Sequence, residues 1–420
     1  MTSGGDAVAA AVEAAHRTHW PVLVAGTVRL LRDLDAAEDC AQEAFTAALR
    51  TWRADGVPTN PAAWLTTATR NRALDRLRRA STERRALPAL IAETERLDRD
   101  GPGTAAHDVP GDGFDDDGGD LLRLVLLCAH PALAPESRVA LTLRAVCGVP
   151  TAAIARVMLV PEPTLAARLT RAKKKIATAG IPLRLPAPAE RGPRVAGALD
   201  VVHLVLTCAH DDPADDDGLA VRAVLLARAL VRLVPEETEA RGLLALALLT
   251  GARAPARRDA AGAVVLLADQ DRARWDAAAV AEGLALVEGL MPYPAGRFTL
   301  QAAIAAEHAR VASPADTDWR QVLRLYDALL AEWPSPVVAL NRAVALAEVG
   351  GPADALGALG AVADDPALAR YPWLPAARAE LHRRCGDRAA AAREYRAALA
   401  LAVTPADAAF LRERLSRVDG

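Results

Sequence analysis

Residues 151–176 read TAAIARVMLVPEPTLAARLTRAKKKI, and their apolar spacing predicts two helices joined by a tight turn. The first helix is expected over Thr151 to Met158, the turn at Leu159-Val160 and the second helix from Pro161 to about Ile176. On the second helix Leu165, Leu169, Ala172 and Ile176 share one face, and Thr164, Ala167, Arg168, Arg171, Lys174 and Lys175 share the other. One face packs while the other is left to read, which is the division of labour in a DNA-binding helix-turn-helix. Lys173, Lys174 and Lys175 are the chain's three lysines among 50 basic residues. Arginines there can contact guanine bidentately, and lysines at the helix end suit phosphates. A plain helical hairpin with a solvated basic face fits the same spacing.

The rest of the chain agrees with an all-α protein. Its 420 residues are 52% hydrophobic but only 4% aromatic, with alanine and leucine abundant and β-branched runs scarce. The formal net charge is -3, so any positive surface must be local. The start lacks a secretory pattern, and apolar stretches such as Val221 to Val234 are interrupted by arginines, which predicts a cytoplasmic protein without a membrane contact. Five cysteines, Cys40, Cys128, Cys147, Cys208 and Cys385, form no Cys-x-x-Cys pair. Cys-Ala-His occurs at Cys128 to His130 and at Cys208 to His210. Each triplet follows an apolar helical run, where a core cysteine and a helix-end histidine are the expected roles. Neither a metal nor a cofactor is therefore expected, and no nucleophile-base-acid set or phosphate loop marks an enzyme.

Two segments divide the chain. Asp98 to Asp120 holds eight aspartates, one arginine and many glycines, a composition that cannot bury apolar surface and reads as a flexible acidic linker. Ile181 to Pro193 is proline-rich and stiffer. The expected organisation is a helical domain over 8–90, the linker over 91–121, the helix-turn-helix domain over 122–180, a helical extension over 181–312 and repeats over 313–418. In the repeats, Gly350 to Ala355 and Gly386 to Ala391 recur 36 residues apart, preceded by Ala343 and Ala379, and Tyr326, Leu359 and Tyr395 take the large position of successive second helices. This is close to the roughly 34-residue tetratricopeptide period.

Before the linker, Asp35 to Trp52 reads as an amphipathic helix capped by Asp35, with Ala41, Ala44, Phe45, Ala48 and Trp52 on the packed face and Glu38, Asp39, Gln42 and Glu43 opposite. Asn60-Pro61 opens another helix through Trp64 to about Arg79, carrying Arg70, Asn71, Arg72, Arg76, Arg78 and Arg79. With the loop Gly56 to Asn60, its polar face and Trp64 suit unstacked bases, although a core role fits Trp64 as well.

An acidic face, a basic helix, an acidic tether and a helix-turn-helix in that order resemble the extracytoplasmic-function (ECF) group of sigma-70-type RNA polymerase sigma factors. The resemblance rests on Asp35 to Phe45 and Trp64 to Arg79 for region 2, and on Ala134 to Arg144 with the following helix-turn-helix for region 4. It extends to the subgroup with a long tetratricopeptide-like C-terminal extension through Asp269 to Asp276, Asp316 to Trp319 and Ser335 to Ala343, while His203 to Asp212 departs from that subgroup's pattern.

The resemblance implies a transcription initiation factor whose partners are core RNA polymerase and promoter DNA. Asp39, Gln42 and Glu43 would contact the polymerase clamp, and Trp64, Thr67, Arg70 and Asn71 with the Gly56 to Ala63 loop would hold the opened -10 element. Thr164, Arg168 and Arg171 would read the -35 element, with Lys173, Lys174 and Lys175 on its phosphates. The acidic linker would occupy the polymerase's basic channel, and the repeats would bind a protein partner or regulate the rest of the chain. Two other readings stay open: a helix-turn-helix regulator that acts without polymerase, and a tetratricopeptide adaptor.

Overall fold

The computed structural model describes residues 3–94, 119–158, 160–181, 183–184, 191–211, 218–259, 262–290, 293–402 and 404–419. Among these residues all regular elements are helical, and the β structure is one isolated bridge between Arg258 and Val264. The chain forms two compact units, Met1–Cys208 and Ala209–Gly420. Most of the acidic linker and much of the proline-rich joint lie outside the described residues.

The first unit opens with α1 (Ser3–Leu31), α2 (Leu34–Asp55) and α3 (Pro61–Thr94), packed around Trp20, Leu23, Trp52 and Leu65. Arg32, in left-handed conformation at φ 54, ends α1 and sets Asp33 in extended backbone. Asp33, not Asp35, consequently caps α2, accepting the Ala36 N–H at 3.0 Å. α3 starts as its sequence predicts, with Asn60 accepting the Ala63 N–H at 3.0 Å. It runs past Arg79 to Thr94, with Pro88 inside it.

The same unit continues with α4 (Gly119–Cys128), α5 (Pro135–Leu141), a π-helical turn at Thr142–Val146, α6 (Thr151–Val157) and α7 (Glu162–Thr178). The helix-turn-helix thus forms from α6 and α7, and Leu165, Leu169, Ala172 and Ile176 are all buried. Asp120, the last aspartate of the acidic run, is not part of a free tether. It is 3% exposed at the start of α4 and pairs with Arg29 of α1 at 3.2 Å and Arg123 at 2.6 Å.

α8 (Arg191–Asp211) spans the boundary to the second unit, where α9 (Gly218–Leu233), α11 (Ala277–Leu290) and α12 (Arg297–Ala309) pack on the apolar α10 (Thr238–Gly251). Glu239 of α10 caps α12: its carboxylate accepts the N–H groups of Phe298 at 2.7 Å and Thr299 at 3.2 Å and the Thr299 hydroxyl at 2.5 Å. Between α10 and α11, Trp275 is flanked by Arg272 at 4.6 Å and Arg253 at 5.7 Å from its ring centroid. Arg253 donates to the Gln270 side-chain oxygen at 3.2 Å. Arg272 donates to the carbonyls of His308 in the last turn of α12 and Val311 just beyond it, and Arg257 to that of Thr250 in the last turn of α10.

α13 (Trp319–Glu332), α14 (Pro336–Val349), α15 (Pro352–Gly360), α16 (Trp373–Arg384), α17 (Arg388–Leu401) and α18 (Pro405–Asp419) stack in sequence order. The small residues of the 36-residue pattern, Ala343, Ala355, Ala379 and Ala391, are fully buried, as is Leu359, and Tyr395 is 2% exposed. Buried alanines with Leu359 and Tyr395 on α15 and α17 fit the repeat spacing, while Tyr326 on α13 is only partly buried.

Candidate nucleic-acid interface

The exposed face of α7 carries Thr164, Arg171, Lys174 and Lys175, with Arg168 half-buried at its edge. Among the described residues none of these cations has a carboxylate partner. The buried apolar stripe on the opposite side fixes the helix, so the cations form one row with no internal neutralisation. Such a row is suited to a polyanion.

α3 presents Thr67, Arg70 and Asn71 to solvent, one to two helical turns beyond Trp64. Trp64 is half-buried and meets Trp52 edge-on, with ring centroids 5.7 Å apart. The packed edge anchors the indole while part of it stays open. The loop before α3 is exposed and includes Val57, 44% exposed.

Asp39, Gln42 and Glu43 of α2 line a shallow groove with Thr46, Arg50 and Arg72. Asp39 pairs with Arg76 at 3.2 Å and Glu43 with Arg72 at 3.4 Å. The numbers 39 with 76 and 43 with 72 have a constant sum, as antiparallel helices require. Sequence reasoning assigned Arg72 and Arg76 no partner, though two acids and two arginines at i, i+4 spacing carried that signal.

Glu38 is not part of this open acidic face. It is 5% exposed and turned toward the π turn and α7, where it meets Lys173 at 3.2 Å and Arg144 at 3.4 Å. Lys173 also donates to Asp35 at 2.6 Å. Lys173 thus stands apart from its two neighbours: a helix turns 100° per residue, and while Lys174 and Lys175 face solvent, Lys173 faces α2. Burial lowers the affinity of its ammonium for a proton, but Glu38 and Asp35 outweigh this and hold its pKa above the ordinary lysine value.

The π turn completes this contact. It leaves the Ala145 carbonyl to accept the Trp20 indole N–H of α1 at 3.2 Å, and Arg144 lies 5.7 Å from the Trp20 ring centroid. Gly148, at φ 67, sits so close to Trp20 that a Cβ there would be 2.7 Å from the ring. Nothing in the sequence pattern announces these residues, because a π turn has no spacing signature.

Of the two Cys-Ala-His triplets, Cys128 is buried and its thiol pKa is pushed upward, first by burial and then by Glu38 and Cys147. His130 follows the end of α4, its Nδ1 accepting the Ala132 N–H at 3.1 Å. The side chains of Cys208 to His210 lie outside the described residues.

Comparisons with known proteins agree with this geometry. Sigma-70 region 2 matches residues 16–83 and sigma-70 region 4 matches residues 123–176, while a family of unknown function, DUF6596, matches 194–291. An uncharacterised protein of Rhizobium meliloti (strain 1021) is 38% identical over 403 residues, covering 95% of this chain and 93% of its own. The probable ECF RNA polymerase sigma factor SigI of Mycobacterium tuberculosis, in strains CDC 1551 and H37Rv, is 34% identical over 165 residues, 39% of this chain and 54% of its own. The match to region 2 takes in the second half of α1, α2 and most of α3, and the match to region 4 takes in most of α4 through most of α7. With both regions in order and a helical extension behind them, the chain belongs to the ECF-type sigma-70 factors that carry a C-terminal DUF6596 region.

Proposed function

We propose that the open groove of α2 docks on core RNA polymerase, that the exposed face of α3 holds the opened -10 element, and that α7 reads the -35 element. The observation that carries this is the row of Arg171, Lys174 and Lys175 on α7, which among the described residues have no carboxylate partner and lie opposite a buried apolar stripe. Asp39, Gln42 and Glu43 supply the acidic docking surface. On α3, Thr67, Arg70 and Asn71 meet the single strand, with Trp64 beside them as a stacking platform. Unstacking a base step costs a few kcal/mol, and stacking on an aromatic returns roughly 1 to 3 kcal/mol per base. Thr164, Arg168 and Arg171 read bases, and Lys174 and Lys175 hold phosphates, joined by Lys173 when it leaves α2.

A sigma factor family is not an enzyme class, and on this reading the chemistry belongs to the polymerase. Among the described residues no helix is long and apolar enough to cross a membrane. The C-terminal repeats serve as a protein-binding or regulatory surface. Run-off transcription with core polymerase on a genomic promoter library tests the whole reading. Wild type should initiate specifically, and Arg168→Ala should change -35 preference by about 1 to 3 kcal/mol at one position. Lys174→Ala with Lys175→Ala should weaken all promoters alike and flatten the salt dependence by up to about 1.8 log units. An absence of specific transcripts with core enzyme would refute it, and truncation before α8 without effect on yield or promoter choice would refute the regulatory role.

A further inference from the structure

We propose that the second unit holds a phosphate group between Arg253 and Arg272 beside Trp275, a ligand site separate from the DNA-facing helices. Arg253 follows α10 and Arg272 precedes α11, and their guanidinium carbons lie 5.7 and 4.6 Å from the centroid of the same indole ring. Neutral acceptors fix both side chains. Arg253 Nε donates to Gln270 Oε1 at 3.2 Å, and the buried Gln270 is itself tied to the Val265 carbonyl at 3.2 Å. Arg272 Nη1 donates to the carbonyls of His308 at 2.6 Å and Val311 at 3.0 Å. Among the described residues this leaves both terminal nitrogens of Arg253, and the Nη2 and buried Nε of Arg272, without an acceptor. The Trp275 indole N–H is likewise buried without a protein acceptor, in a residue only 9% exposed.

Cations this well covered ordinarily face a carboxylate, and here the local acids serve elsewhere. The Asp271 carboxylate accepts the Ala273 N–H at 3.0 Å, and that of Asp276 accepts the N–H groups of Ala278 and Ala279 at 2.9 and 3.0 Å. Glu307, beside His308 in the chain, pairs with Arg310 at 3.2 Å. Among the described residues no carboxylate forms an ion pair with Arg253 or Arg272. Positive charge gathers instead: burial, then Arg257 and Arg272, lower the Arg253 pKa to about 10, and burial lowers that of Arg272. Stacking on the indole offsets part of this repulsion but gives the indole N–H nothing to donate to. An oxyanion supplies both missing parts, acceptors for the idle N–H groups and charge opposite to the two guanidinium groups. Phosphate suits better than carboxylate, because a phosphate monoester carries about -1.5 to -2 at pH 7 and offers three acceptor oxygens. A phosphate here would tie the ends of α10 and α12 to the segment that leads into α11.

Hydrogen exchange with mass spectrometry on the full chain, in phosphate-free buffer at fixed ionic strength, locates the site. Inorganic phosphate or glycerol phosphate should protect peptides from residues 250–276 and 305–312, at concentrations that leave residues 160–178 unchanged. Acetate at equal ionic strength should protect neither. Isothermal titration calorimetry should show one saturable site with Kd at or below about 1 mM. Tighter binding of glycerol phosphate identifies a phosphorylated small molecule as the source, and tighter binding of inorganic phosphate the free ion. Arg253→Gln should weaken binding at least about tenfold, and Trp275→Phe, which keeps a ring and removes the N–H, about three- to tenfold. Trp275→Phe also carries the test if Arg253→Gln does not fold. Arg253→Gln should bind a mixed-sequence duplex as wild type does. The site is overturned by a lack of saturable binding, by equal protection from acetate, by protection confined to residues 160–178, or by loss of duplex binding in Arg253→Gln.

Discussion

Gly148→Ala perturbs the packing of the two sigma regions at one atom. Two costs can be separated. An L-residue at φ 67 is in the left-handed region, which costs about 1 to 2 kcal/mol whatever its surroundings. The new Cβ would also stand 2.7 and 2.9 Å from Trp20 ring carbons and 3.2 Å from His16. Trp20 cannot yield easily, since it is 1% exposed, packs on His16 and Phe45, and donates to Ala145. Overpacking of this kind costs about 1 to 3 kcal/mol, so the total is about 2 to 5 kcal/mol. Gly180→Ala isolates the first cost, because Gly180 is at φ 58 with nothing within 4 Å of its added Cβ. Urea titration followed by hydrogen exchange and mass spectrometry, read on peptides from residues 16–52 and 142–158, assigns the transition to this unit. Gly148→Ala should lose more stability than Gly180→Ala by about 1 to 3 kcal/mol, and exchange near Trp20 should rise in that variant alone. Equal losses would show that Trp20 and Gly148 are not in steric contact.

Three further outcomes are expected. His308 lies against Trp319 and has its pKa lowered to about 4, first by burial and then by Arg253 and Arg272. Its neutral form is the folded one, so its contribution is present above pH 6.5 and fades as pH falls toward 4, by up to about 3 kcal/mol; His308→Gln should flatten that part of the stability profile in urea melts, and parallel profiles would count against the assignment. Glu239→Ala removes three hydrogen bonds at the start of α12 and should lower the stability of the second unit by about 1 to 3 kcal/mol, measured by chemical denaturation. Lys173→Met leaves Glu38 buried with one cation, so adding Glu38→Gln should recover part of the loss; additive effects in this double-mutant cycle would mean that the two groups do not interact.

The elements were legible in the sequence wherever periodicity carried them. The buried stripe of α7, the Asn60 cap of α3 and the alanine pattern of the repeats follow from local spacing that tertiary contacts reinforce. The exposed candidates on α2, α3 and α7 were legible for the same reason, since polar residues opposite an apolar stripe face solvent. What was not legible depends on the tertiary fold. Glu38 shares a helical sector with the open acids, yet the neighbouring α7 covers it, and no property of residues 35–45 alone reveals that cover. Lys173 is indistinguishable in type from Lys174 and Lys175, and its separate fate follows from its angle around α7 relative to a helix 138 positions earlier. Asp120 closes an acidic run in composition but begins a helix in structure, because two arginines from different elements compensate its burial.

The two acid sets of α2 differ in how easily they can change partners. Asp39 with Arg76 and Glu43 with Arg72 are largely exposed pairs, each worth about 0 to 1 kcal/mol, so a basic surface of a partner can replace either arginine at little cost. Glu38 is held differently. Removing one of its cations while it stays buried leaves uncompensated charge in a poorly solvated place, which is strongly unfavourable. Its partners therefore separate together, with water reaching Glu38 in the same event. One helix thus presents a face whose ion pairs exchange one at a time and another whose ion pairs break as a set. A partner that takes the exposed acids Asp39 and Glu43 therefore leaves the buried Glu38 set undisturbed.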